Sequence, residues 1–337
     1  MKVLIVAPQL RPVGVDGYGG VERLCSLFAG ELRRVGHEVA VACSRESVLP
    51  EGVRHVDTGP ASDVESLLSY RGLMHRVNCV LDFSHSHLLP QMYPYRCISV
   101  IWHDPKIQKY PEPSYNVVAL SRWQAKRFKD VYGQKARVLS PICADPAVYY
   151  YDPQVEVSDR FLSIGVMTPD KGNLQAVRLA QEVGAHIDVV GQAHDRPYTQ
   201  AVVEEVAKCP EGECRAIIDK SFTDRERADL FRQARALLYP VSYPKGYGEA
   251  HSMKMVEAMM CGTPCITYDQ GAMRELTGVA LYKNEGELAS TIKEIKEGTL
   301  GHHRQWLAKT ATEHYSVQNV VAQWIPVMQK VAEGERW

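Results

Sequence analysis

The residues with the clearest chemical potential run from Gly246 to Met259: Gly246-Tyr247-Gly248-Glu249-Ala250-His251-Ser252-Met253-Lys254-Met255-Val256-Glu257-Ala258-Met259. Glu249 follows a glycine-bearing turn. Glu257, eight positions on, falls inside a helical apolar pattern of Met253, Val256 and Met260. Glu249 then stands in the loop at the mouth of a helix, with Glu257 about two turns away at most. N–H groups from Ala250 to Met253 would have no intrahelical partner and would attract a diphosphate. The carboxylates could accept hydrogen bonds from vicinal hydroxyls. A cap residue and a solvated helix carboxylate are the plain alternatives, adequate for either glutamate alone and less so for both beside this loop.

Two further segments could meet an anion. Phe161-Leu162-Ser163-Ile164-Gly165 reads as a strand, and Lys171-Gly172 follow at the start of a helix, where a lysine is well placed for a phosphate. A surface lysine is the commoner fate of this residue type. Near the N-terminus, Gly14-Val15-Asp16-Gly17-Tyr18-Gly19-Gly20 links a strand to a helix. Its glycines would let backbone N–H groups approach an anion. The spacing is not Gly-x-Gly-x-x-Gly, so a nicotinamide dehydrogenase is disfavoured, and a flexible turn is the plain alternative.

The elements that must position these residues alternate short apolar runs with helical patterns. Strands are predicted at 3–7, 39–43, 79–83, 98–102 and 117–120, with Val21, Leu24, Phe28, Leu32 and Val35 on a helix stopped by Gly36. Residues 141–159 hold Pro141, Pro146, Pro153 and Tyr149-Tyr150-Tyr151 and read as a crossing between domains. A second alternation follows, with strands at 161–165, 185–190, 214–218, 235–239 and 265–268 and helices from Lys171, after Pro197, from Asp224 and near Ser252. The fold class is therefore α/β: two Rossmann-like, doubly wound parallel sheets, whose ligands belong beyond the carboxyl ends of the strands. The expected domains are 1–153 and 154–315, with 316–337 as a helix crossing back to the first. Trp306, Trp324, Ile325 and Met328 are expected as buried anchors of the tail.

Composition is ordinary for a globular enzyme. The 337 residues are 45 % apolar and 23 % charged, with a formal net charge of −1, so nothing global points to nucleic acid. The length favours two domains over one core. The nine cysteines are odd in number and contain no Cys-x-x-Cys, which fits a reducing, cytoplasmic setting better than a disulfide framework. The opening Met1-Lys2-Val3-Leu4-Ile5-Val6 reads as a strand rather than a leader, and no apolar run approaches the roughly 20 residues of a membrane span. Arg122, Trp123, Lys126, Arg127, Phe128 and Lys129 form a basic stretch. A solvated helix face is favoured there over contact with a membrane surface.

The segment around the two glutamates, with Cys261-Gly262-Thr263-Pro264 and Gly271-Ala272-Met273-Arg274-Glu275, resembles the signature of retaining glycosyltransferase family 4 (glycosyl transferases group 1). Gly19-Gly20-Val21-Glu22-Arg23, Asp82-Phe83-Ser84-His85-Ser86-His87, Val118-Ala119-Leu120-Ser121 and Gly165 to Gly172 agree with it in order, so the resemblance covers nearly the whole chain. It implies the GT-B architecture, two Rossmann-like domains facing across a cleft, with a nucleotide-sugar donor and no metal or other cofactor. It also implies that Glu249 binds donor-sugar hydroxyls, Glu257 the ribose hydroxyls, and Lys171 the leaving diphosphate. Ala250, His251, Ser252 and Met253 would line the donor, Gly19 and Gly20 the phosphates and acceptor, and His87 the anomeric carbon, with His85 and His103 as lesser candidates.

One position and one three-residue stretch depart from the family pattern. An arginine usually follows the glycine at 165, where this chain has Val166, so one diphosphate contact is missing or supplied elsewhere. Ala250-His251-Ser252 replaces the usual Pro-Phe-Gly, and His251 either donates to phosphate or packs.

The resemblance implies transfer from a UDP-sugar, or next a GDP-sugar, to a hydroxyl of a small-molecule, glycan or lipid-linked acceptor. Attack would come from the front face, in a cleft closed against water. A sugar-nucleotide epimerase and a non-catalytic nucleotide-sugar-binding partner are the rival readings. The loop 190–197 is a candidate for reading the base.

Overall fold

The computed structural model describes residues 1–9, 11–14, 19–59, 63–107, 109–110, 115–241, 247–298 and 303–337, without the side chains of 63–68. It separates into two compact units. The first comprises the described residues up to Asp145 together with Tyr315–Trp337, and the second runs from Pro146 to His314.

The first unit is built from β1 (Lys2–Val6), α1 (Gly20–Arg34), β2 (Glu38–Cys43), β3 (Arg54–Asp57), α2 (Asp63–Met74), β4 (Cys79–Asp82), α3 (Leu89–Met92), β5 (Cys97–Val100), β6 (Val117–Ala119), α4 (Arg122–Tyr132) and β7 (Arg137–Val138). The seven strands are parallel, in the order β3-β2-β1-β4-β5-β6-β7. Val3 to Val6 are at most 1 % exposed, so β1 is covered on both faces, and this explains its unbroken apolar run.

The second unit contains β8 (Phe161–Ile164), α5 (Asn173–Glu182), β9 (Ile187–Gly191), α6 (Arg196–Val206), β10 (Cys214–Ile218), α7 (Asp224–Gln233), β11 (Leu237–Tyr239), α8 (Met253–Met260), β12 (Cys265–Tyr268), β13 (Val279–Tyr282), α9 (Glu285–Lys296) and most of α10 (Arg304–Tyr315). Its six strands are also parallel, in the order β10-β9-β8-β11-β12-β13. In both sheets the strand order reverses beside the first strand of the unit, between β1 and β4 and between β8 and β11. The loops leaving those strands are where a doubly wound sheet opens a ligand crevice.

The last helix, α11 (Val317–Ala332), belongs to the first unit. It buries Val320, Val321, Trp324, Met328 and Val331, and the Trp324 ring meets Phe28 of α1 edge-on at 5.4 Å. Trp306 is a correction: it is 56 % exposed rather than a buried anchor. α10 buries Leu307, Ala308 and Ala311, and Trp306 lies just off that stripe. Ile325 is only half-buried for the same reason on α11. In α4, Phe128 is buried, while Arg122, Lys126 and Lys129 are exposed and Arg127 pairs with the buried Asp104 at 3.1 Å.

Among the cysteines, Cys209 and Cys214 form a disulfide across the α6–β10 connection, with Cα atoms 5.9 Å apart, and seven others are free and buried. Cysteine counting did not foresee this local bridge, because a four-residue turn can close two thiols without any wider framework. Among the described residues, no helix is long and apolar enough to cross a membrane.

Candidate active site

In the second unit, Lys171 and Glu249 come from the two loops that flank the strand reversal, after β8 and after β11. Lys171 ends a short 3-10 turn, Pro169–Lys171, and Glu249 precedes α8. The Lys171 ammonium donates to Glu249 Oε2 at 2.9 Å and lies 3.2 Å from Asp170. The Tyr239 hydroxyl, at the end of β11, donates to the same Glu249 oxygen at 2.5 Å. Burial opposes the charge on Glu249, but Lys171 and the Tyr239 hydroxyl outweigh it and hold the carboxyl below its usual range.

The backbone of Glu249 is fixed too. Its carbonyl accepts from Ala272 N at 2.8 Å, and the turn that brings Ala272 there runs through Gly271, whose φ is +60°. A Cβ on Gly271 would come within 2.2 Å of the Glu249 carbonyl oxygen, so this approach requires glycine. The Gly271 to Glu275 segment read from the sequence therefore serves to pin the first glutamate.

α8 begins at Met253, and its N-cap residue, Ser252, makes no side-chain cap. The N–H groups of the first turn thus lack intrahelical partners and point out of the helix mouth. One expected donor is already used: Ser252 N–H donates to His251 Nδ1 at 2.9 Å. That bond leaves the His251 proton on Nε2, and burial pushes the ring's pKa down to about 4, so His251 is a neutral donor at physiological pH. Glu257 is only 1 % exposed, which excludes the solvated helix carboxylate considered above. Met253 and Ala250 frame the same mouth. Gly246 lies outside the described residues.

Sequence reasoning gave no role to Tyr239, Asp170 or Lys254. The Lys254 ammonium donates to the Ile164 carbonyl at 2.7 Å and lies 4.0 Å above the Tyr239 ring. Burial, then the neighbouring Lys171, pushes its pKa down to about 7. Tyr239 had a readable signal, since it ends a strand at the expected crevice, but the partner of its hydroxyl did not.

In the first unit, Gly19 is the N-cap residue and Gly20 the first residue of α1. Val15 to Tyr18 of that loop lie outside the described residues. His87 follows β4 and is 2 % exposed, with φ +51°, a strained backbone for a residue with a side chain. Its Nδ1 lies 3.1 Å from Ser99 Oγ, and that hydroxyl donates to Asp82 Oδ2 at 3.0 Å. Because the Ser99 proton is committed to Asp82, Ser99 can only accept from His87 Nδ1–H. The imidazole is therefore held with Nε2 as a lone-pair acceptor. Burial, with His85 and His103 nearby, lowers its pKa to about 3 and keeps it neutral. His85 and His103 stack at 5.4 Å, and His103 is exposed.

Residues 159–297 match the family model described as glycosyl transferases group 1. No curated protein matches the chain by sequence. Among solved structures, AviGT4, a glycosyltransferase involved in avilamycin A biosynthesis, is 23 % identical with a TM-score of 0.80, covering 100 % of this chain and 99 % of its own. A glycosyltransferase from Rickettsia africae is 15 % identical with a TM-score of 0.76, covering 99 % of each chain. The catalytic domain of Arabidopsis thaliana starch synthase IV, bound to ADP and acarbose, is 10 % identical with a TM-score of 0.67, covering 98 % of this chain and 99 % of its own.

Proposed function

We propose that this chain, whose second unit matches the group 1 glycosyl transferase model over residues 159–297 and whose fold is that of the glycosyltransferase structures above, moves a sugar from a nucleoside-diphosphate sugar to a hydroxyl acceptor with retention of anomeric configuration. UDP-sugars are the favoured donors and GDP-sugars the next. The observation that carries this reading is the Lys171–Glu249–Tyr239 cluster beside the open mouth of α8. Without donor, the ammonium and the carboxylate satisfy each other. A nucleotide sugar offers each a new partner, diphosphate for Lys171 and sugar hydroxyls for Glu249. The bound ADP of the starch synthase relative supports a nucleoside-diphosphate leaving group.

Glycosyl transfer builds positive charge on the sugar and negative charge on the departing phosphate. Lys171, the first-turn N–H groups of α8 and the His251 Nε2–H supply positive potential for that anion. Glu257, buried on the same helix, takes the ribose hydroxyls. In a front-face reaction the C1–O bond to phosphate breaks, the acceptor oxygen bonds to C1 from the same side, and the phosphate oxygen receives the acceptor proton. His87 is the first unit's candidate for the acceptor side, its neutral ring keeping a lone pair on the buried Nε2. No metal is invoked, and activity should survive chelation of divalent cations.

Thermal-shift measurement against UDP, GDP, ADP and dTDP, followed by transfer assays with the selected donor, tests the proposal. A ligand at about 100 times its Kd stabilises by roughly 2.7 kcal/mol. A selective shift that disappears in Glu257→Ala, with a glycoside product of unchanged anomeric configuration, is expected. A nucleotide shift with only an epimerised donor as product would favour the epimerase. No shift and no transfer with any donor would overturn the proposal.

A further inference from the structure

We propose that Lys254 is a second cation of the donor diphosphate site, supplying from α8 the charge that Val166 cannot supply from the β8 loop. The inference rests on the donor-site reading above. Its first support is what holds the amine. Lys254 Nζ has a carbonyl, Ile164 O at 2.7 Å, and an aromatic face, Tyr239 at 4.0 Å. Among the described residues it forms no salt bridge, whereas the nearby Lys171 has both Glu249 and Asp170. A half-buried ammonium with no carboxylate in salt-bridge contact is costly, and burial, then the nearby Lys171, lowers its pKa to about 7 against the pull of Glu249 and Asp170. An anionic ligand would repay that cost.

The second support is place. The amine lies against the residue that precedes Val166: a Cβ on Gly165 would be 2.5 Å from Lys254 Nζ, and Gly165 has φ +150°. The cation thus occupies the mouth of the β8 loop although residue 166 itself is buried and apolar. The third support is helix geometry. Lys254 and Glu257 are three residues apart on α8 and share a face. A nucleotide whose ribose is held by Glu257 would carry its diphosphate toward the N-terminal mouth of α8, past Lys254, to Lys171. The two neighbouring amines would then match the two negative charges of the diphosphate bridge.

The test is calorimetric titration of the full chain with UDP and with uridine. UDP is replaced by GDP, and uridine by guanosine, if the thermal-shift screen selects that base. Lys254→Gln keeps a donor for the Ile164 carbonyl and removes the charge. It should weaken nucleoside-diphosphate binding about 10- to 100-fold, the loss expected of one charge-assisted contact, with nucleoside binding unchanged. Lys254→Arg should retain most of the affinity, and Val166→Arg added to Lys254→Gln should recover part of it, which a merely structural lysine would not allow. If Lys254→Gln fails to fold, Lys254→Met with Val166→Arg is compared with Lys254→Met alone by the same titrations. Unchanged diphosphate affinity in the charge-free variants would overturn the assignment of Lys254 while leaving the donor site standing. An equal loss for nucleoside and diphosphate would overturn it as well, by marking Lys254 as structural. Wild-type protein that binds no nucleoside diphosphate would overturn the donor site itself.

Discussion

Lys171→Met keeps the length of the side chain and removes its charge, which isolates what the ammonium does for Glu249. Both partners are mostly enclosed, with side chains 21 % and 14 % exposed and a contact of 2.9 Å. Breaking a buried pair costs about 3–5 kcal/mol, and losing an exposed one about 0–1 kcal/mol. This pair lies between those cases, and the Tyr239 hydroxyl remains on the carboxylate, so a loss of about 2 kcal/mol is expected at neutral pH. The pH dependence follows from the direction of the shift. In the native protein the Glu249 carboxyl titrates below its ordinary value, so its contribution is full above the unfolded-state pKa and is lost as pH falls through the folded one. In the variant, burial acts without the lysine and drives the carboxyl up, so less remains to be lost on acidification. The stability difference should therefore be largest above about pH 6 and shrink toward about pH 4. Urea unfolding across that range, with hydrogen exchange reporting on the second unit, measures it. A difference below about 0.5 kcal/mol at neutral pH, the scale of an inconsequential surface change, would refute the reasoning. So would a difference that widens in acid.

Two other expectations concern the frame around the site. Gly271→Ala places a methyl group 2.2 Å from the Glu249 carbonyl on a left-handed backbone, and should cost several kcal/mol or displace the glutamate; transfer activity falling far more than nucleoside affinity would locate the damage at Glu249, and wild-type kinetics would contradict it. Trp324→Ala removes a fully buried ring packed on Phe28 and Phe83, and should destabilise the first unit by about 3–5 kcal/mol. Urea unfolding followed by hydrogen exchange in α1 and β4 reads that loss, and unaltered protection there would contradict the packing.

The doubly wound architecture was legible because central parallel strands are covered on both faces and must be apolar throughout. Val3 to Val6 of β1 satisfy that requirement fully, and β4, β8 and β12 do so apart from the buried Asp82, Ser163 and Thr267. β3 and β7 escaped notice because they lie toward the sheet edges, where the pattern weakens: β3 is largely exposed, and β7 is two residues long. β13 is only half-buried. The same logic explains the tail. Trp324 faces the core and Trp306 does not, although both stand in helical patterns, because a difference of one residue turns a side chain by about 100° on a helix.

The candidate site divides along a similar line. Glu249, Glu257 and Lys171 could be nominated because their types and spacing are local facts, each set beside a strand end or a helix start. Tyr239 and Lys254 could not be assigned in that way. Their significance lies in contacts closed by the sheet, Lys254 reaching Ile164 across 90 positions of sequence and Tyr239 reaching Glu249 only once β11 and the α8 mouth are juxtaposed. The tautomers of His87 and His251 depend on what their neighbours have already given away: Ser99 its proton to Asp82, and Ser252 its amide to His251. A sequence can therefore nominate a residue for chemistry by its type. Which atom carries the proton, and which cation stands against which anion, is decided by hydrogen bonds between loops that only the strand order brings together.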